Sequence, residues 1–414
     1  MSDSLNKTSE KNLDIYGYLT VLSVILVSGS LYYATYYRTL LLIPLFIILA
    51  SWVFLKNNFR FNFKYFLYIF VFMGGSLLNI DNVDFESYLS MFLRFSIALI
   101  VVSTISVYHF SLIYVKVMKW ICLISLLYIP VIIFKVKSIL PPLRTLAGEL
   151  SHPYDNYIFF AINTGVENFR NVGIFAEPGM YQFFIGLALL FGIIFKHLTI
   201  RSFFILLITL ISTQSTSAYL SGGLLVLLYI YEYKIFSNIN SKKQFYSLVL
   251  LTIIVTIAIP FMQTVVVEKF SENNKSYGST AARYEDNLLD LRLFLENPLT
   301  GIGFGNYEYK KIVGKNYENY NADVNSLAVV FGQIGILALY LVYPLVLPAY
   351  TSYLKLFSRL MCMAVLIIIF SSQNLFMYLI FNVTALYGLE RKCLFPDRVR
   401  KPKNLQLLSQ FPEL

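Results

Sequence analysis

The feature that most limits the fold of this 414-residue chain is a series of long apolar blocks. Most of them run for about 17–22 residues, the length of α-helix needed to cross the hydrocarbon core of a bilayer, which is about 30 Å thick. Hydrophobic residues make up 57% of the chain and charged residues only 14%, whereas an average soluble domain has roughly 25% charged residues. This composition excludes a disordered protein, a coiled coil and an ordinary soluble enzyme, and it predicts a polytopic membrane protein.

The sequence predicts an all-α fold, a polytopic helical membrane bundle in a single domain over residues 1–414, with about twelve transmembrane helices. The apolar blocks lie at about 15–37, 39–55, 65–80, 89–107, 114–134, 179–195, 202–216, 217–233, 245–266, 325–350, 360–371 and 373–389. About ten to thirteen spans would fit, because three divisions between blocks are only short polar inserts. We expect two large outer-face loops, at 135–178 and 267–324, since loops of this length seldom lack a function.

The net charge of +10 reflects topology rather than a nucleic-acid partner. With the N-terminus placed inside, Lys and Arg residues concentrate in the short inner connections and in the C-terminal tail. The outer loop at 81–88 holds three acidic residues and no Lys or Arg. By the positive-inside rule, both termini are expected in the cytoplasm. The expected partner is therefore the lipid bilayer, with no nucleic acid.

The first candidate motif runs from Arg170 to Gly179, at the outer end of the sixth span. Glu177 precedes Pro178, and an acidic cap followed by Pro in the first turn is typical of a helix start. A capped helix that enters the membrane is therefore the structural interpretation of Glu177. The functional interpretation is that Arg170 and Glu177 together form part of a site at the lipid–water boundary.

The second candidate motif lies in the 267–324 loop. Its pattern predicts a helix over 282–295, capped by Ser279 or Thr280 and ended by Asn297-Pro298. The helical period places Leu288, Leu291 and Leu295 on an apolar face and Arg283, Asn287 and Asp290 on a polar face, with Arg292 pointing almost oppositely.

Glycines and polar residues follow this predicted helix. Gly301 and Gly303 alternate with other residues, a pattern that either brings backbone N–H groups to a phosphate or forms a mobile turn. No Lys-Ser or Lys-Thr pair follows, so the pattern is not a nucleotide P-loop. Asp323 and Asn325 lie further on, where the next span starts.

Arginines near the outer ends of the spans form the third candidate feature. Arg94 lies inside the fourth span, about one turn from its outer end, where an ionisable residue either faces the bundle interior or snorkels to the headgroups. Arg144 lies in the first large loop. Arginine keeps its charge and binds phosphate through two parallel hydrogen bonds, so these side chains could together hold a diphosphate. No His, Cys or Asp cluster has metal-ligand spacing, and we expect no metal and no cofactor.

From about 165 to 340 the chain resembles the bacterial O-antigen polymerase (Wzy) and O-antigen ligase (WaaL) superfamily. The resemblance is carried by the segment Arg170 to Gly179, by Arg283 with the phrase Asn-Pro-Leu-Thr-Gly-Ile-Gly-Phe-Gly-Asn at 297–306, and by Asn325-Ser-Leu with Gly332 and Gly335. It implies a GT-C-like glycosyltransferase in the bacterial cytoplasmic (inner) membrane. The implied substrate is a glycan linked to a polyprenyl diphosphate such as undecaprenyl diphosphate, and the implied pathway is lipopolysaccharide or related polysaccharide biosynthesis.

The resemblance favours a polymerase over a ligase. Ligases of the superfamily usually carry His immediately before the Asn that matches Asn325, whereas this chain has Val324. In the polymerases, arginines of the two large outer loops are the recurring functional residues. The implied reaction is the polymerisation of lipid-linked oligosaccharide repeat units into O-antigen or a related polysaccharide, without a metal ion.

The resemblance and the side-chain chemistry together suggest roles for individual residues. Arg170 and Arg283 would hold the diphosphate and stabilise the charge that develops on the leaving group, and Glu177 would accept the proton of the acceptor hydroxyl or orient it. Six residues are further candidates for substrate binding: Arg94, Arg144, Arg292, Gly301, Gly303 and Asn325. His152 and Asp323 are alternative general bases.

Three other functions stay open at this point. An O-antigen ligase would transfer the glycan once, to the lipid A core. A polysaccharide transporter or flippase is also polytopic, but transporters usually have paired broken helices and ionisable residues near the midplane. The protein could also be a structural partner in a glycan-export complex. For a polymerase, a chain-length co-polymerase is a further expected partner.

Overall fold

The computed structural model describes residues 2–31, 38–56, 62–77, 85–133, 144–146, 154–157, 160–163, 170–233, 277–303, 325–376 and 378–390. This part of the chain is mostly helical, as the apolar blocks predict. The predicted span at 245–266 lies outside the described residues.

The helices and strands are numbered in chain order. The α-helices are α1 Ser2–Val27, α2 Arg38–Lys56, α3 Phe63–Leu77, α4 Phe85–Thr104, α5 Val107–Ser125, α6 Tyr128–Ile133, α7 Pro178–Ile194, α8 Ile200–Ser212, α9 Thr216–Glu232, α10 Tyr277–Glu296, α11 Ser326–Ile334, α12 Ala338–Val346, α13 Leu356–Ser371 and α14 Leu379–Gly388. Short 3-10 turns follow α11 and α12, at Gly335–Leu337 and Ala349–Thr351. The strands are β1 Arg144–Leu146, β2 Tyr154–Asn156 and β3 Ala161–Asn163.

Apolar helices of membrane-spanning character are present. Two stretches among the described residues, Val107–Pro130 and Ser326–Thr351, have the length and hydropathy needed to cross a bilayer. Shorter apolar helices of 10–17 residues occupy most of the other predicted blocks in the described ranges. Together with the composition, these helices support a helical membrane protein. The number of spans and their orientation stay predictions.

Helix α7 lies at the centre of the bundle. All residues from Gly179 to Ile194 are buried, as expected for a helix that is apolar on all sides. It packs against α5, α8, α9 and α13. The apolar run that predicts a span here therefore forms a core helix surrounded by other helices.

The two ends of α7 define two ends of the bundle, which we name the Glu177 end and the Lys196 end. Helices α1, α5, α8 and α13 finish at the Glu177 end, and α9, α11 and α14 begin there. At the Lys196 end, the Tyr353 hydroxyl donates to the Ile194 carbonyl at 2.7 Å, and Lys196 forms an ion pair with Glu232 at 2.6 Å. The Glu177 end is the one that the sequence predicts to face outwards.

A small antiparallel sheet lies at the Glu177 end, with strand order β1-β2-β3. The Tyr154 hydroxyl in β2 donates to the Ala176 carbonyl at 2.5 Å, so the sheet packs against the segment that precedes α7. The prediction of an all-α fold did not include this sheet, because strands of three residues are too short for a recognisable alternation of apolar and polar residues. The sheet belongs to the predicted 135–178 loop.

Helices α13 and α14 form an antiparallel pair joined by a polar turn at 372–378. Ser358, near the start of α13, donates to Glu232 at 2.5 Å, at the Lys196 end. Ser372, after the end of α13, accepts from Gln182 at 2.6 Å, at the Glu177 end. Helix α14 then runs back towards the Lys196 end, packed against α4. The predicted division of this apolar stretch by a polar insert is confirmed.

Candidate active site

Backbone hydrogen bonds hold the segment from Arg170 to Glu177 in place. The Ile174 carbonyl accepts from Leu31, just after α1, and the Gly173 carbonyl accepts from Ala161 in β3, both at 2.8 Å. The segment is therefore fixed to two separate elements before the chain enters α7. It forms a rigid support for the charged side chains at its two ends.

Asn171 connects this segment to the ends of α5 and α8. It is 1% exposed. Its Nδ2 atom donates to the Ser212 hydroxyl at 3.0 Å and to the Ser125 hydroxyl at 3.3 Å, and its Oδ1 atom accepts from the Gly173 N–H at 2.9 Å. Asn171 was not among the residues predicted to be functional. Its only signal was its position next to Arg170, because its partners lie far away along the chain.

Two glycines of the motif are required by close contacts. Gly173 has φ +55°, and a Cβ atom there would lie 2.7 Å from the Tyr181 ring. A Cβ atom on Gly179 would lie 2.0 Å from the Nε2 atom of Gln373. The second contact brings the turn after α13 directly against the first turn of α7.

Arg170 is half-buried at the Glu177 end. Its Nε atom donates to the Thr213 carbonyl at 3.1 Å, in the turn between α8 and α9. Its charge also acts on Tyr219 in α9, so the guanidinium lies close to that helix. A backbone acceptor thus sets the orientation of the guanidinium.

Glu177 is the N-cap residue of α7 and Pro178 its first residue, as predicted. The Glu177 side chain is exposed and makes no capping hydrogen bond. Within the described part of the chain its carboxylate has no ion pair, so the structure does not pair it with Arg170. The carboxylate is therefore accessible to a ligand at this end of the bundle.

The polar turn after α13 joins the Glu177 motif to the Asn325 motif. The Gln373 carbonyl accepts from the Ser326 N–H at 3.2 Å and also from the Ser326 hydroxyl. The insert around Gln373 was predicted only to divide two spans. The sequence signal for a further role was a pair of adjacent carboxamides, Gln373 and Asn374, at the end of an apolar block.

Asn325 is the N-cap residue of α11 and also contacts α10. Its Oδ1 atom accepts from the N–H groups of Leu327 at 3.0 Å and Ala328 at 3.3 Å. Its Nδ2 atom donates to the Oδ1 atom of Asn287 at 2.8 Å. One side chain thus starts α11 and connects it to α10, while its predicted role in substrate binding stays a prediction.

The predicted helix of the 267–324 loop is present as α10. It ends before Asn297-Pro298, as predicted. It begins at Tyr277, so Ser279 and Thr280 lie inside it, and the prediction that one of them is the N-cap is wrong. Pro at 298 stops the helix because the residue before proline avoids helical geometry, whereas no comparable breaker stands at 279 or 280.

Helix α10 has two opposite faces. The face packed on α11 consists of buried residues, Asp286, Leu289, Asp290 and Leu293. The opposite face is exposed and mostly apolar, with Tyr284, Leu288, Leu291 and Leu295. The three leucines share one face as predicted, but they do not pack on the protein. An exposed apolar stripe of this kind is typical of a helix at a lipid interface.

The polar face predicted for α10 is only partly solvent-facing. Asn287 contacts Asn325, whereas Asp290 is 1% exposed and lies against Gly332 of α11. Arg283 belongs to the helix one turn before Asn287, which puts the two positions on the same face. The side chain of Arg283 lies outside the described residues.

Arg292 lies on a different face of α10. Its Nε atom forms an ion pair with Oε1 of Glu296 at 2.8 Å, four residues further along. By the helical period it points away from Arg283, as predicted. Its part in substrate binding stays a prediction.

Gly301 and Gly303 let the loop after α10 pack on the end of α11. They have φ +64° and +92°, respectively. The Gly301 N–H donates to the Asn297 carbonyl at 2.9 Å and the Gly303 N–H to the Gln333 carbonyl at 3.0 Å. Both glycine N–H groups thus already donate to backbone carbonyls. Binding of a phosphate by these glycines stays a prediction.

The remaining candidates lie in different places. Arg94 is 6% exposed and faces the bundle interior, not the lipid. Since α4 begins at Phe85, Arg94 lies about 14 Å along the helix, and its depth in the membrane stays a prediction. Arg144 is in β1, paired with Asn156. His152 and Asp323 lie outside the described residues. Within the described ranges, no group of three His, Cys, Asp or Glu side chains is placed to hold a metal ion.

A chain of contacts joins three of the motifs at the Glu177 end. Gly179 contacts Gln373, Gln373 is hydrogen-bonded to Ser326, and the neighbouring Asn325 is hydrogen-bonded to Asn287. Arg283 is one helical turn from Asn287. The two sequence motifs that carry charged residues are therefore connected through the turn after α13.

Part of the chain matches a known family. Residues 202–343, about a third of the chain, match the sequence model of a family described as O-antigen ligase, Wzy_C. Arg283 and Asn325 lie within the match, and the segment from Arg170 to Gly179 precedes it. Searches of curated proteins and of solved structures gave no match. Residues 202–343 are therefore similar to the O-antigen polymerase and ligase superfamily of glycan-transferring enzymes.

Proposed function

We propose that this protein polymerises polyprenyl-diphosphate-linked oligosaccharide repeat units at the outer face of the bacterial cytoplasmic membrane. The similarity of residues 202–343 to the superfamily supports a glycan-transferring enzyme with a lipid-linked substrate. The observation that carries the proposal is the contact chain from Gly179 through Gln373 and Ser326 to Asn325 and Asn287. These contacts bring the exposed carboxylate of Glu177 and helix α10, which bears Arg283, to the same end of the bundle. This is the end that the sequence predicts to face outwards.

In the proposed reaction, an acceptor hydroxyl attacks the anomeric carbon of the donor glycan. The new glycosidic bond forms as the bond between that carbon and the diphosphate oxygen breaks, and polyprenyl diphosphate leaves. Arg170 and Arg283 would neutralise the charge that develops on the diphosphate. Glu177 would take the proton from the attacking hydroxyl. Since guanidinium groups provide the positive charge, the scheme assigns no step to a metal ion.

A ligase is the second candidate, because the matching family is described as O-antigen ligase. Val324 stands where the superfamily's ligases usually carry His, and this favours the polymerase. The two activities differ in their product. A polymerase makes a ladder with a spacing of one repeat unit, whereas a ligase makes a single transfer to the lipid A core.

The test is an in vitro reaction of the purified protein with lipid-linked repeat units from a strain that lacks it. We expect a ladder from the unchanged protein and a loss of long products for Arg170→Ala and Arg283→Ala. Arg201→Ala is the matched control, since Arg201 is an exposed arginine in the first turn of α8, at the Lys196 end. Products of normal length from both variants would contradict the site assignment, and a single transfer to lipid A core would identify a ligase.

A further inference from the structure

The turn after α13 holds carboxamide groups with hydrogen-bonding capacity that none of the described residues uses. Gln373 is 9% exposed, and its side chain has no hydrogen-bond partner among the described residues. The Oδ1 atom of Asn374 and the Oε1 atom of Gln182 are buried at the same end of the bundle, without a hydrogen-bond partner among the described residues. Buried polar groups are nearly always hydrogen-bonded in folded proteins, so the two buried oxygens beside the Gln373 carboxamide need an explanation.

The backbone of this turn is held firmly, so the open side chains do not reflect a loose segment. Ser326 donates its N–H and its hydroxyl to the Gln373 carbonyl, and the Ser326 hydroxyl accepts from the Leu375 N–H at 2.6 Å. Ser372 accepts from Gln182. Such a fixed backbone with an unused side chain is the arrangement expected of a preorganised binding group.

The position of Gln373 indicates which part of the substrate its side chain would contact. Its Nε2 atom lies against Gly179, two residues after the exposed Glu177 carboxylate. In the proposed reaction Glu177 acts on the acceptor hydroxyl. A group beside it would therefore contact the sugar that carries this hydroxyl, not the lipid.

The chemistry of a carboxamide points to the same part of the substrate. It is uncharged and offers both a donor and an acceptor, which matches sugar hydroxyl and acetamido groups. A diphosphate offers only acceptors with negative charge, and arginine suits it better. The two kinds of side chain at the Glu177 end would thus bind different parts of one lipid-linked glycan.

We propose that the turn at 372–374 is a glycan-binding subsite in which the Gln373 carboxamide binds a hydroxyl or acetamido group of the acceptor sugar beside Glu177. This assignment depends on the proposed polymerase function. It names a residue outside the Arg170, Arg283 and Asn325 motifs and outside the 202–343 family match.

The experiment compares binding of two probes to the purified full-length protein: lipid-linked repeat units from a strain that lacks it, and undecaprenyl diphosphate without a glycan. Gln373→Met keeps the side-chain volume against Gly179 and removes the carboxamide. We expect its Kd for the repeat unit to rise about ten-fold or more, the effect of about one lost hydrogen bond, while its Kd for the bare lipid stays within about two-fold. Gln373→Asn, which keeps a carboxamide, should recover part of the affinity.

Ser358→Ala is the control, because Ser358 lies in the same helix α13 but at the Lys196 end. It should bind both probes as the unchanged protein does. If Gln373→Met binds the repeat unit normally, or loses both probes equally, the subsite is wrong and the proposed function stands. If the unchanged protein binds neither probe, the proposed function itself fails, and this inference fails with it.

Discussion

The Nδ2 atom of Asn325 donates a hydrogen bond of 2.8 Å to the Oδ1 atom of Asn287. This bond joins Asn325, the N-cap residue of α11, to helix α10, which lies earlier in the chain. Since Arg283 is one turn before Asn287, the bond also affects how α10 presents that arginine.

Substitution of Asn325 should separate its two roles. Asn325→Asp keeps the acceptor that caps α11, because Asp is as good an N-cap as Asn, but it loses the donor to Asn287. We expect nearly unchanged thermal stability in detergent and shorter glycan products. Asn325→Ala should lose the products and also about 1 kcal/mol of stability. Asn287→Ala is the matched variant and should shorten products as Asn325→Asp does. Full-length products from both would show that the bond between the helices has no part in activity.

Replacement of Gly179 by Ala should destabilise the protein. A Cβ atom there would lie 2.0 Å from Nε2 and 2.8 Å from Cδ of Gln373. Because the end of this side chain can shift, we expect a cost at the low end for overpacking, about 1 kcal/mol. The double variant Gly179→Ala, Gln373→Ala should recover much of the loss, because the clashing group is then absent. The melting temperatures of the single and double variants measure this. Equal stability of Gly179→Ala and the unchanged protein would contradict the close contact.

Asn171→Ala should destabilise the protein more than the removal of a hydrogen bond at the surface does. It removes three hydrogen bonds of a side chain that is 1% exposed, at roughly 1 kcal/mol each, so we expect a loss of about 2–4 kcal/mol. Ser106→Ala, which removes an exposed cap hydrogen bond of α5, should cost about 1 kcal/mol. Thermal unfolding in detergent compares the two, and similar losses would refute the role of Asn171 as a connecting residue.

Arg170→Lys should reduce activity almost as strongly as Arg170→Ala, with little change in stability. Lysine keeps the positive charge, but its donors all lie on one nitrogen, whereas arginine can donate from Nε to the Thr213 carbonyl and from its terminal nitrogens to a phosphate. Chain length in the in vitro ladder is the measurement. Normal ladders from the lysine variant would mean that charge alone is sufficient at this position.

Stability should fall on acidification because of His197, in the connection between α7 and α8. Burial lowers the pKa of His197 from 6.5 to about 4, and the charges of Lys116 and His109 act in the same direction. Between these pH values the unfolded chain binds a proton that the folded protein does not, so the stabilisation is complete above about pH 6.5 and is lost as the pH falls towards 4.

The comparison is the melting temperature of the unchanged protein and of His197→Gln at pH 7.5 and pH 5. The drop between the two pH values should be smaller in the variant. Because His197 is partly exposed, solvent screens the effect, and a moderate difference is expected. An equal drop would show that other groups control the acid response.

Local signals in the sequence were sufficient for several helices and for some of their limits. Apolar runs of span length predicted α7 and α13, Pro178 predicted the start of α7, and Pro298 predicted the end of α10. These features depend on interactions between residues a few positions apart in the chain, and such interactions are the same whatever the segment packs against. The strands β1 to β3 were not predicted, because they are too short to show an alternation of apolar and polar residues.

The sequence by itself thus determined the helical membrane character, the position of Glu177 at a helix start and the superfamily motifs. Only the tertiary structure decided that Gln373 lies against Gly179, that Asn171 joins three elements, and that Asn325 contacts Asn287. The physical reason is that each of these contacts depends on how helices distant in sequence pack together. A carboxamide at the end of an apolar block looks the same in a sequence whether it faces solvent or a glycan site.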